Sequence, residues 1–238
     1  ALGLTLVAFA GLLLGACADD GRDGLNGRNG SDGEDGMDGA PGPTVINAST
    51  VSDEVLASLD VESEILGITI ASPPVVTFRL TTSMGVPIAG IVPFWEDSDR
   101  YVRFTLTKLV VGEHGDPDNW VAYVLDEGEP DYDTGTSLED NGDGSYVFTF
   151  ATDVTMVEGV EYEPGLTHRL AGQLGSSSVS LEPQNFVYDF VPDGSDLVDT
   201  KYMAVMESCN ECHVDLVFHG RRFLVEYCTN CHNPQLAE

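Results

Sequence analysis

Two short clusters near the C-terminal end hold residue types that do chemistry together. The first reads Cys209-Asn210-Glu211-Cys212-His213; fourteen residues later the second reads Cys228-Thr229-Asn230-Cys231-His232. A Cys-x-x-Cys pair followed at once by His is the attachment signal for haem c. The two thiols add across the porphyrin vinyl groups, and the adjacent imidazole falls under the iron as proximal ligand. Cys209, Cys212, Cys228 and Cys231 are therefore the expected covalent sites for two haems, with His213 and His232 on the irons.

A structural zinc site competes, because two CxxC pairs with fifteen residues between Cys212 and Cys228 also suit four thiolates. Three points favour haem. Histidine follows both pairs, and a four-thiolate site needs neither. The chain opens on an export signal, whereas reduced thiolate sites suit the reducing cytosol. His219, in Phe218-His219-Gly220-Arg221-Arg222, lies between the motifs as a ready sixth ligand. Two proximal histidines and this spare complete one bis-imidazole site. The other distal ligand has to come from His114, His168 or sequence not present here. A haem with both axial positions filled carries electrons; a sensor or peroxidase needs an open one.

What positions these clusters is a chain of 238 residues with 42% apolar content, enough for a packed core. Ten Lys and Arg stand against 40 Asp and Glu, a net charge of −30. Such a field repels nucleic acid, so a DNA or RNA partner is excluded. Residues 201–238 carry only −2 of that charge, so the C-terminal segment is chemically distinct.

Residues 1–16 are an uncharged apolar run, shorter than the about 20 residues a membrane span needs. The run ends in Leu14-Gly15-Ala16-Cys17, which resembles the lipobox of bacterial lipoproteins, with Cys17 as the lipidated residue. An ordinary secretory signal is the alternative, and either means export. An initiator Met and a basic n-region are missing, and the sequence stops six residues past His232. Truncation at both ends is the expectation. Over residues 18–44, glycine recurs at every third position from Gly21 to Gly42, the Gly-X-Y signature of collagen. With Pro41 and Pro43 its sole prolines, the stretch reads as a hydrated tether more than a trimerising stalk.

Residues 45–195 switch to short alternating runs bounded by turn residues. Expected strands surround Val76–Leu80, Val102–Leu106 and Tyr146–Phe150, with others at Ile65–Ile70, Val86–Val92, Trp120–Leu125, Leu166–Leu174 and Asn185–Phe190. A short helical turn is expected around Asp53–Leu59. The fold class is mainly β: an antiparallel Greek-key sandwich or split barrel. Residues 196–238 then begin a coil and helix multihaem domain. Glu139-Asp140-Asn141-Gly142-Asp143-Gly144 resembles half an EF-hand loop, but its twelfth position is Phe150, so a hairpin turn is expected. His114 reads as a surface residue and His168 as a structural one.

The order of parts, with Cys-Asn-Glu-Cys-His, His219-Gly220-Arg221-Arg222 and Cys-Thr-Asn-Cys-His-Asn-Pro, resembles the N-terminal portion of outer-membrane decahaem c-type cytochromes of metal-reducing bacteria. Weaker similarity runs through Arg103–Leu106, Leu166–Arg169 and Tyr188–Gly194. The resemblance implies a cell-surface lipoprotein in which a β domain precedes a five-haem domain, with His219 a distal ligand. It implies an electron carrier more than an enzyme, with terminal metal reduction open. Its partners would be other multihaem cytochromes or outer-membrane conduit proteins, metal oxides or soluble shuttles, and the membrane through the lipid. With two of about ten motifs present, this chain cannot form the family's haem wire by itself. A surface adhesion or scaffold module with a collagen-like stalk is the alternative.

Overall fold

The computed structural model describes residues 45–98, 101–198, 200–201, 204–214, 216–219 and 221–237. Cys17 and the Gly-X-Y stretch lie outside them. The chain begins with β1 (Ile46–Asn47), α1 (Asp53–Leu56), β2 (Val61–Thr69), β3 (Val75–Thr82) and β4 (Ile88–Ala89). Next come α2 (Val92–Asp97), β5 (Val102–Val110), β6 (Asn119–Ala122), β7 (Leu125–Asp126) and β8 (Glu129–Pro130). The strands finish with β9 (Ser137–Asp140), β10 (Ser145–Thr149), β11 (His168–Leu174) and β12 (Gln184–Phe190). Two helices follow, α3 (Met206–His213) and α4 (Val225–Cys231), and a 3-10 turn at Pro234–Ala237.

Eight strands form two four-stranded sheets, ordered β2-β3-β10-β9 and β12-β11-β5-β6 and antiparallel throughout, while β1 pairs with β4 in parallel and β7 with β8 antiparallel. Strands far apart in sequence are neighbours, β3 beside β10 and β5 beside β11, as a Greek-key arrangement requires. The edge strands β2 and β12 of opposite sheets lie against each other, drawing one side together as in a split barrel. The mainly β architecture read from the sequence is the one the chain adopts.

Alternation explains the core. Val76, Phe78 and Leu80 from one sheet meet Phe104, Leu106, Leu170 and Phe186 from the other, all of them buried. Phe104 sits at the centre, with ring centroids 5.9 Å from Phe78, 4.9 Å from Phe148 and 5.8 Å from Phe186. Gly172 on β11 is where that ring finds room: a Cβ there would lie 2.4 Å from Phe104 Cε1 and 3.0 Å from Phe186 Cδ2. Gly172→Ala therefore overpacks the core and should cost about 1–3 kcal/mol. The melting temperature, read by circular dichroism, should fall by roughly 2–4 °C for each kcal/mol.

Three local expectations shift. The run 86–92 yields only the two-residue β4, because Gly90 at φ +86° leaves the extended backbone and Ile91 opens α2. The run 120–125 breaks into β6 and β7, and buried Tyr123 sits at the break. Strand β9, with Leu138 as its sole large apolar residue, carried no alternation to detect. The acidic stretch 139–144 makes the expected hairpin: Gly142 has φ +77°, and its N–H donates to Asp140 Oδ1 at 2.8 Å. The other oxygen of Asp140 accepts from the Gly90 N–H at 2.6 Å.

One sheet is buried on both faces. Along β11 every residue from His168 to Leu174 is buried, and β5 is buried at seven of its nine positions. Phe104, Leu106 and Leu170 point into the sandwich. Thr105, Thr107, Arg169 and Gln173 point the other way and are equally covered, because α4 packs on that side.

Candidate haem attachment sites

The first motif occupies α3. Val205 precedes it with no side-chain cap, and none of its residues is buried. Cys209 is half-buried, while Cys212 and His213 are exposed. Val214, at φ +51°, ends the helix, and Asn210 Oδ1 accepts from the Leu216 N–H at 2.9 Å.

The second motif occupies α4 and its cap. Tyr227, Thr229 and Asn230 face inward and are buried; Cys228 and Cys231 are half-buried; His232 is the exposed C-cap. Between the motifs, Phe218 and Arg222 pair their backbones at 2.8 and 2.9 Å, closing a tight loop that carries His219 at φ +46°. That loop brings the His219 ring to the His232 ring, with centroids 6.1 Å apart and planes 25° from parallel. Two imidazoles on opposite sides of one metal are expected about 6 Å apart between centroids. This sums a metal–nitrogen bond of about 2 Å and roughly 1 Å from nitrogen to ring centre on each side. Cys228, Cys231, His232 and His219 are the residues that would hold a bis-imidazole haem at the second motif.

The thiols fit the same assignment. All four are free of disulfides. Burial pushes the Cys228 and Cys231 thiols up, against the pull of the Arg222 guanidinium. Among the described residues no group of three or more His, Cys, Asp or Glu converges as a metal cage.

Arg222 anchors the loop. Its Nε donates to Gln173 Oε1 at 3.1 Å, and its guanidinium lies 4.8 Å over the Tyr227 ring. Asn185 on β12 adds two bonds, donating to the Arg221 carbonyl at 3.1 Å and accepting from the Phe223 N–H at 2.9 Å. The sequence had singled out none of Gln173, Asn185 and Asn230. A polar residue in a strand or between two cysteines carries no mark of its distant partner.

The remaining histidines are accounted for elsewhere. His114 lies exposed in a loop, 3.8 Å from Glu113. His168 is fully buried: Nδ1 is 2.8 Å from the Leu166 carbonyl and Nε2 is 2.9 Å from Tyr123 Oη. A carbonyl only accepts, so Nδ1 carries the proton and Nε2 takes the Tyr123 hydroxyl. His168 is structural, as expected, and is not free to ligate a haem.

Burial pushes the His168 pKa from the usual 6.5 down to about 4. Between those values the unfolded chain holds a proton that the folded one refuses. The stabilisation is complete above pH 6.5 and is lost as pH falls through 4, by about 3 kcal/mol in all. Melting temperatures across that window should fall more steeply for the wild type than for His168→Gln, which cannot take up the proton.

No family model matches the chain. The fold and the paired motifs place its likeness among multihaem cytochromes. Multihaem cytochrome MtrC of Shewanella baltica strain OS185 is 24% identical over 170 residues, covering 67% of this chain and 25% of that protein. The crystal structure of the outer membrane decahaem cytochrome OmcA matches with a TM-score of 0.59 and 21% identity, over 81% of this chain and 31% of OmcA. That of MtrC from Shewanella baltica OS185 matches with a TM-score of 0.61 and 22% identity, over 74% and 30%. The chain thus spans between a quarter and a third of the length of these relatives. The resemblance to outer-membrane decahaem cytochromes stands in sequence, and the chain shares their β-domain fold.

Proposed function

We propose that this chain is the front part of a surface-anchored multihaem c-type cytochrome that transfers electrons outside the cell. The observation that carries the reading is the His219–His232 pair, held 6.1 Å apart beside Cys228 and Cys231. When bound, haem c supplies a one-electron iron couple whose potential is set by its axial ligands and surroundings. In this reading Cys209 and Cys212 hold one haem with His213 as proximal ligand. Cys228 and Cys231 hold the other, between His232 and His219. With His219 and His232 both holding the iron, the second site would carry electrons and would leave no place there for a substrate.

Further parts of the reading follow from the sequence and the relatives. Cys17 carries the lipid, residues 18–44 are the tether, 45–195 the β domain and 196–238 the start of the haem domain. The cell-surface location, the partner cytochromes or conduit proteins, and the metal oxides or soluble shuttles that take the electrons belong to the same proposal. The test is expression with the c-type maturation machinery. A red product with about two haems per chain by pyridine haemochrome, reversibly reduced by dithionite, is expected. A colourless, zinc-loaded product overturns the reading.

A further inference from the structure

The two attachment helices are held in different ways. α3 buries none of its residues, while α4 sets Asn230 at 0% exposure against the β12-β11-β5-β6 sheet. Asn230 fills the second variable slot of its motif, where haem attachment makes no demand on residue type. Its carboxamide is engaged on the sheet. Nδ2 donates to Thr105 Oγ1 at 2.8 Å and to the Arg169 carbonyl at 3.4 Å, and Oδ1 accepts from Thr107 Oγ1 at 3.3 Å. These partners lie more than 60 positions away in the chain.

The residues after His232 are fastened to the same sheet. Asn233 Nδ2 donates to the Asn230 carbonyl at 2.8 Å. Gln235 clasps Ala122 on β6, accepting from its N–H at 2.6 Å and donating to its carbonyl at 3.3 Å. His232 therefore sits between two fixed points. The loop with His219 is pinned to that sheet as well, through Asn185 and Gln173. In the first motif the matching slot holds Glu211, which is exposed.

We infer that Asn230 is a positioning residue: a buried peg that fixes α4 on the β sheet and so sets how the His232 ring faces His219. The inference rests on the haem reading above. An amide is suited to the slot because it donates and accepts at once. Aspartate keeps the shape but loses both donated bonds, and it adds a charge against a carbonyl. A buried charge with no cation beside it is costly, so Asn230→Asp should disturb the site at least as much as Asn230→Ala. The β domain is then part of the mount of the second haem.

The experiment uses the full chain, matured with haem. Covalent loading is read by the mass of the Cys228–Cys231 peptide and by pyridine haemochrome. Axial geometry is read by the ferric low-spin resonance and the midpoint potential of each haem, and His219→Ala identifies which signals belong to the second site. Asn230→Ala and Asn230→Asp should leave both haems attached while the second site's resonance and potential shift and the first site's stay fixed. Thr105→Val with Thr107→Val removes the peg's partners without touching the motif. It should reproduce the shift, and adding Asn230→Ala to it should change little more. Loaded variants whose second-site signals match the wild type overturn the inference. A wild-type peptide lacking haem at Cys228 and Cys231 overturns the haem reading instead.

Discussion

In the reduced, haem-loaded His219→Ala protein, carbon monoxide should bind one site per chain that refuses it in the wild type. The expectation follows from the one close approach between histidine rings among the described residues, 6.1 Å between His219 and His232. Removing the imidazole opens the sixth position of the second iron, and an open position is what a diatomic ligand requires. A carbon monoxide difference spectrum, titrated against haem content, measures the gain over any binding at the first site. His219→Met offers a thioether in place of the imidazole. It should close the position again and raise that haem's midpoint potential, as methionine ligation does in other c-type cytochromes. An unchanged spectrum in His219→Ala would sink the ligand assignment.

The second large effect is on stability. Arg169 is fully buried and grips Asp189 with two charge-assisted bonds, Nε to Oδ1 and Nη2 to Oδ2, both 2.7 Å. Its guanidinium also lies 4.3 Å over the Trp120 ring. Arg169→Met strips the partner from a carboxylate whose side chain is only 7% exposed. Breaking one half of such a pair costs about 3–5 kcal/mol, mostly as an uncompensated buried charge. At roughly 2–4 °C per kcal/mol, the melting temperature should drop by about 6–20 °C. Asp189→Leu added to Arg169→Met should recover much of the loss, since a well-packed apolar pair replaces a buried ionic one at little net cost.

Legibility followed the range of the interaction. The alternations at Val76–Leu80, Val102–Leu106 and Tyr146–Phe150 announced β3, β5 and β10, because side-chain period is a local property of a strand. The Asn141–Gly144 turn was legible for the same reason: its glycines take backbone angles that few other residues accept. The odd positions of β5 and β11 misled. Thr105, Thr107, Arg169 and Gln173 look like a solvent face, and α4 packs on that side. Thr105 and Thr107 bond Asn230 of that helix, more than 100 residues further on, and period cannot reveal that.

The two CxxCH clusters were legible in the sequence as haem c attachment signals, because the motif is local: two thiols and an imidazole at neighbouring positions. Which iron His219 serves was not, because the loop closed by Phe218 and Arg222 could turn either way along the chain. The proposal that it serves the second one comes from the tertiary structure. Gln173, Asn185 and Asn230 hold the loop and α4 on one sheet face, and that shared face brings the His219 ring to the His232 ring.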